Sequence, residues 1–327
     1  VKNKIFKLLK ILLPLSLGVF LIYYSYHQFT DDQRNDIYTY IKMADYRWVL
    51  LSMLIALASH LSRAWRWNYM LDGLGKTPKL ITNIMAIGVG YAMNIFIPRS
   101  GEISRAAIVN RHSGIAFDKA IGTIIAERVL DLIILLIISV TAISMAGDEI
   151  IQFFWGLLSD AFAKADTQQL LIYGVVALVI LSILIILLRY LNLMGKIKGF
   201  LRGIQDGFFT IWTMQQKWAY LGHTLFIWGM YVLMFYISTF ALPGTSSIAI
   251  PAILCAFVAG SFAVAFTNGG FGAYPLFIAA VLLFFNVPET LGTSFGWILW
   301  ISQTLLVLVY GLLSFVLLSF QQTTRHR

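Results

Sequence analysis

Charge is what this sequence has least of. Aspartate, glutamate, lysine and arginine make up 12% of its 327 residues, against the ~25% usual in a soluble domain. A chain this poor in charge cannot clothe a water-facing surface in the ordinary way. Cysteine occurs once, at Cys255, which excludes an intrachain disulfide framework. The five histidines are scattered and form no metal-ligand pattern. The short alternating apolar segments of a membrane β-barrel are missing too. Acidic residues are outnumbered 15 to 24 by Lys and Arg, for a net charge of +9. That excess sits in short connecting loops, where it fits membrane topology and attraction to anionic lipid, not nucleic-acid binding.

What the sequence has in abundance is apolar length. Hydrophobic residues make up 59% and the mean hydropathy is +0.80. Several runs reach the ~20 residues that cross ~30 Å of hydrocarbon. The fold class is therefore an all-α, polytopic helical membrane protein. One integral domain over 1–327 is expected, with about eight transmembrane helices, two re-entrant hairpins in a pseudo-symmetric repeat, and both termini cytoplasmic.

Val1 to Lys10 carries four lysines ahead of the apolar run Ile11 to Tyr26, read as an uncleaved first span (1–26). Asp31, Asp32, Asp36 and Asp45 then suit the outside. A span over about Trp48 to Trp67 ends in His60, Arg63 and Arg66, which share a helix face. Snorkelling to the cytoplasmic surface is the simpler reading of these arginines, a lipid-headgroup contact the other. Leu80 to Ile97 is apolar but stops at Pro98, and the stretch after it is basic. A full crossing there would put that basic stretch outside, so a re-entrant hairpin turning at Pro98–Gly101 is expected. The first half (48–145) closes with a crossing from Ala120 to Met145. Leu170 to Leu188 returns, and Arg189 to Lys217 reads as a cytoplasmic amphipathic segment. The second half (218–320) crosses at Trp218 to Phe240, re-enters at Ala252 to Phe266, and breaks at 267–275. Its last span covers about Phe295 to Phe320. Shifting by 170 residues aligns Ala86, Gly90 and Phe96 with Ala256, Gly260 and Phe266, a faint internal repeat of the kind transporters use.

The candidate site lies between Asn94 and Asp131. Charges at membrane depth are costly and mark functional positions, and here Arg99, Glu102 and Arg105 follow one apolar run while Glu127, Arg128 and Asp131 lie inside the next. Pro98 and Gly101 reverse the backbone. Glu102 and Arg105 lie within pairing reach, as do Arg128 and Asp131. Asp131, about 16 Å along its helix, is either a structural partner of Arg128 or Arg105 or part of a headgroup path. Arg99 is the best phosphate contact, since guanidinium offers a two-donor fork. Asn94 is read first as a helix–helix hydrogen bond and second as a ligand contact. Gly269, Gly270 and Gly272 read as hinges or as an anion-holding set of amides, with no strand–helix context for a nucleotide. Tyr274 is the weakest member, more often a packing residue.

These motifs carry a resemblance. Asn94, Pro98, Arg99, Gly101, Glu102 and Arg105, followed by Glu127, Arg128 and Asp131, resemble the N-x-x-x-P-R-x-G-E-x-x-R and E-R-x-x-D patterns of a flippase-like integral membrane family. That family includes the transmembrane (flippase) region of lysylphosphatidylglycerol synthetase, the multiple-peptide-resistance protein. The resemblance implies translocation of a polar-headgroup lipid between leaflets, with anionic or aminoacylated phospholipids as partners, in a bacterial cytoplasmic (inner) membrane. It departs from the family at the second break, usually P-G-G-x-G-x-x-E, where Asn268 and Pro275 replace the proline and the glutamate. Nothing in the chain resembles the soluble synthetase domain, so a separate lipid-modifying enzyme is expected to make the lipid. No cofactor, metal or catalytic residue is expected. Two other functions stand beside transport: an intramembrane lipid-processing enzyme using Glu127 and Asp131, and a non-transporting partner of a lipid-modifying enzyme.

Overall fold

The computed structural model describes residues 16–75, 77–148, 151–152, 155, 212 and 214–323. The expected span at Leu170 to Leu188 and nearly all of the amphipathic segment 189–217 lie outside them. Helix α1 covers 16–28. It is followed by α2 (Asp31–Met43), α3 (Tyr46–Asp72), α4 (Leu80–Phe96), α5 (Ser100–Ser113) and α6 (Phe117–Met145). The second half contains α7 (Lys217–Ser238) with a short 3-10 turn (Thr239–Ala241), α8 (Ile250–Phe266), α9 (Ala273–Phe284) and α10 (Glu289–Thr323). There is no strand among the described residues.

Helix ends follow local chemistry. Thr30 and Gln33 form a reciprocal capping box for α2. Asp45 caps α3 through the amide of Arg47 at 3.0 Å. Gly114 closes α5 in the left-handed region, φ 65°.

Among the described residues three helices are long and apolar enough to cross a membrane, within Tyr46–Asp72, Lys217–Ala241 and Glu289–Phe320. At most 44% of their most apolar stretches is buried, so the greasy surface is turned outward, as hydrocarbon solvation demands. Helix α6 has the length, 29 residues, and carries its charges in its first half. By contrast α4, α8 and α9 have 17, 17 and 12 residues, short of the ~20 needed to span. They build two hairpins, α4–α5 and α8–α9.

The 35-residue α10 is the spine for both hairpins. Its N-terminal half packs on α9, with Gly292 against Ala279 and Gly296 against Pro275. Its C-terminal half packs on α4, with Gly311 against Ala92 and Ser314 against Gly88. Helix α4 also runs antiparallel to α3, since Asn83 bonds Asn68 and the Tyr91 ring lies 4.7 Å from that of His60. The hairpins therefore enter from opposite ends of the bundle, and their tips meet beside the middle of α10. The Asn268 side-chain amide donates to the Ile95 carbonyl at 2.8 Å, and Trp300 Nε1 donates to the Gly269 carbonyl at 2.9 Å. The end where α3 begins and α7 finishes holds Asp31, Asp32, Asp36, Asp45 and Glu289 against Arg34, Lys42 and Arg47. The other end holds Lys79, Arg111, Lys119 and Lys217 against Asp72 and Asp118.

Two expectations follow. In a Cys255-free background, cysteines at positions 95 and 268 should crosslink under mild oxidation, and failure would mean that the tips lie apart. A β-carbon on Gly296 would come within 2.6 Å of the Pro275 Cα, so Gly296→Val should cost about 1–3 kcal/mol by overpacking, read as a lowered melting temperature in detergent.

Candidate functional site

Hairpin 1 is built by close approach. A side chain at Gly101 would strike the Gly90 carbonyl and Asn94, and one at Gly90 would meet the Arg105 side chain at 2.7 Å. The Asn94 Oδ1 accepts from the Gly101 amide at 2.7 Å, and Ser100 Oγ donates to the carbonyls of Met93 and Ile97. Asn94 thus takes the structural role, satisfying one of the unpaired amides at the start of α5. The turn itself is Ile97–Arg99, with Ser100 and Gly101 already helical. Pro98 leads into Arg99, which caps α5 with φ 63°, a left-handed conformation costing a non-glycine residue roughly 1–2 kcal/mol. Arg99 is exposed.

Behind this tip five charged side chains are buried together. Arg63, Arg66, Arg105, Glu127 and Asp131 are 3%, 0%, 2%, 1% and 7% exposed. They alternate in sign. Arg63 meets Asp131 at 2.6 Å, Arg66 meets Asp131 at 2.8 Å and Glu127 at 3.1 Å, and Arg105 meets Glu127 at 2.8 Å. Trp228 Nε1 donates to Asp131 at 3.3 Å, and Arg66 donates to Thr224 at 3.3 Å. The Arg105 guanidinium lies 4.2 Å from the Trp67 ring centre, a favourable contact for a desolvated cation. The cluster joins α3, α5, α6 and α7. Three cations against two anions leave it one positive charge in excess. The Nε groups of all three arginines and His60 Nδ1 are buried without a partner among the described residues.

A second pair lies nearer the surface, Arg128 to Glu102 at 3.0 Å, with side chains 45% and 26% exposed. Glu102 Oε2 has no partner. Two pairings expected from sequence are therefore replaced. Glu102 and Arg105 point to different acids and bases across the α5–α6 interface, because helix neighbours on α6 offer straighter approaches than an i, i+3 bend. Asp131 is taken not by Arg128 but by Arg63 and Arg66 from α3.

The snorkelling reading of those two arginines is overturned by the same observation, since both point inward to carboxylates. They are the main residues that sequence reading missed. The signal was present: arginines at three-residue spacing inside a span deserve the suspicion given to Glu127 and Asp131.

The second break is organised differently. Gly269, Gly270 and Gly272 have φ of 64°, 80° and 72°, so each occupies a region that favours glycine. Pro275 sits in the first turn of α9 against Gly296, where the familiar pattern has a glutamate. Tyr274 packs on Gly260 and Gly270 within the apolar core, apart from the buried ion cluster. No group of three or more metal-ligating side chains occurs among the described residues.

Removing one carboxylate from a buried cluster leaves an uncompensated cation. Asp131→Asn should therefore cost about 3–5 kcal/mol. Glu102→Gln, acting on a part-exposed and screened pair, should stay within ~1 kcal/mol. Denaturation in a single detergent, compared across both variants, checks this, and equal effects would contradict the burial argument.

The family model described as the lysylphosphatidylglycerol synthase TM region matches residues 11–311. No curated protein and no solved structure matches the chain.

Proposed function

Since the chain belongs to the lysylphosphatidylglycerol synthase transmembrane-region family, we propose that it moves a phospholipid, or another lipid with a polar headgroup, between membrane leaflets. The observation that carries this reading is Arg99. An exposed cation is held in a left-handed backbone at the tip of a broken hairpin, halfway along the spine helix, beside a buried cluster with surplus positive charge. Strain of this kind persists where the surroundings over-determine it, and it gathers at functional sites.

The headgroup chemistry follows from the charges. Arg99 presents a guanidinium suited to a phosphate. Three residues on, the part-exposed Glu102 side chain carries a negative charge beside Arg128, which suits an ammonium. A headgroup bearing both groups, as in an aminoacylated phospholipid, meets both. Its acyl chains stay in hydrocarbon while the headgroup passes the meeting point of the two hairpins. The charge pattern of the bundle ends supports placing the basic end, with Lys79, Arg111, Lys119 and Lys217, on the cytoplasmic side of a bacterial inner membrane. A separate enzyme would supply a modified lipid. For the competing enzyme reading, Glu127 and Asp131 were the available acid–base pair, and both are engaged by buried arginines, which weighs against that use.

Leaflet exchange of fluorescent phosphatidylglycerol and of its lysyl derivative in proteoliposomes tests the proposal. The unmodified protein should exceed protein-free vesicles for at least one of them. Arg99→Gly should lower exchange at least tenfold while the melting temperature holds or rises slightly, because glycine relieves the left-handed strain at a small entropic cost. Exchange that survives this substitution would remove Arg99 from the path. Absence of exchange by the unmodified protein for both lipids would count against transport of this lipid class.

A further inference from the structure

On the outer side of the α3–α7 pair, away from the ion cluster, both helices offer an i, i+3, i+4, i+7 face to one groove. Helix α3 contributes Ala58, Leu61, Ser62 and Trp65, and α7 contributes Ala219, Gly222, His223 and Phe226. The groove holds about 560 Å³, within the ~300–1,000 Å³ range of small-ligand sites. Its floor is made of small residues, and a β-carbon built on Gly222 meets no atom within 4 Å. The walls are aliphatic and aromatic.

Set in this apolar wall is one polar pair. Ser62 Oγ lies 2.7 Å from His223 Nδ1. No other acceptor among the described residues takes the Ser62 hydroxyl proton, so the arrangement that satisfies it is donation to Nδ1. That leaves the imidazole proton on Nε2, which has no partner among the described residues. The Trp65 ring stacks on His223 at 6.4 Å with 16° between planes, and Tyr69 lies 5.6 Å away. A donor left open on a hydrocarbon-facing wall is costly unless a ligand accepts from it.

Depth identifies the acceptor. His223 lies six residues, about 9 Å, inside the start of α7 at Lys217. Lys217 sits over the Trp212 ring at 5.0 Å, and Trp218 is exposed beside it, the aromatic arrangement of a membrane interface. The headgroup layer is ~5–8 Å thick on each side of the hydrocarbon, so His223 stands at the level of the glycerol esters and the first methylenes. The geometry points to a resident phospholipid site: one acyl chain lies in the α3–α7 groove, and an ester oxygen of the same lipid accepts from His223 Nε2–H. The site is separate from the hairpin tips, and transport does not enter its test.

The test uses the full-length protein in nanodiscs with phosphatidylglycerol carrying a diazirine in one acyl chain, and crosslinked peptides mapped by mass spectrometry. Label should concentrate on residues 58–65 and 219–226. Gly222→Phe should reduce it at least tenfold with an unchanged melting temperature, and Gly222→Leu serves if the larger variant fails to fold. His223→Phe keeps the groove apolar and removes the donor, and should weaken retention about five- to tenfold. Unlabelled phosphatidylethanolamine and phosphatidylglycerol should compete within twofold of each other, because both carry the ester. Label lying elsewhere overturns the assignment. So does label that Gly222→Phe leaves within twofold, a tenfold headgroup preference, or a crosslinked second copy of the chain in place of lipid.

Discussion

The chain Arg63–Asp131–Arg66–Glu127–Arg105 is the interaction on which the rest of the bundle depends. Each of these ions would be expelled from a dry interior if it stood alone. Together they hold α3, α5 and α6 at one registration, because a shift of one residue would swing a guanidinium away from its carboxylate. Trp228 and Thr224 add α7 to the same lock. In hydrocarbon the hydrophobic effect does not drive helices together, so association rests on close packing and polar contacts of this sort. The cluster serves that purpose while leaving one positive charge unneutralised.

Around that lock the second organising constraint is the reach of backbones toward one another. Glycines at 88, 90, 101, 292, 296 and 311 let the hairpins lie against α10 and against themselves where a methyl group would collide. Opposed entry of two short hairpins then follows from length. Helices of 17, 17 and 12 residues reach only partway, so their ends must find partners inside the protein. They do so through Asn268 to Ile95 and Trp300 to Gly269. The asparagine that stands in for the expected proline is thus a donor between hairpins.

Much of this was legible in the residues. Apolar run lengths announced the class, Pro98 and the glycines at 269, 270 and 272 announced both breaks, and charges at depth announced Glu127 and Asp131. What sequence could not supply was pairing across elements. Helical spacing ties Arg128 to Asp131 and Glu102 to Arg105, since only i, i+3 neighbours are visible along a chain. In the folded protein each of these four reaches a different helix. Arg63 and Arg66 were visible but discounted, because an arginine near a span's end can snorkel, and nothing in the sequence says which way the shared face points. Tyr274 was named for its place in a motif, and its surroundings are apolar. The groove at Ser62 and His223 escaped notice for the same reason: its two halves are 161 residues apart.

The same contacts rank the hairpins by how firmly each is held. Arg105 belongs to hairpin 1 and to the ion cluster at once. Withdrawing α5 from α6 would break a buried pair, at a cost of about 3–5 kcal/mol, as well as the fit of Gly101 on Gly90. Among the described residues hairpin 2 has no ion pair. Its tip is held by neutral hydrogen bonds worth about 0.5–1.5 kcal/mol each and by close packing of Phe271 and Gly272 on Gly18 of α1, and three residues of its turn occupy glycine-favoured conformations. Arg99 therefore stands on the element that the ion cluster anchors. That anchoring is done by the charges whose pairing the sequence concealed.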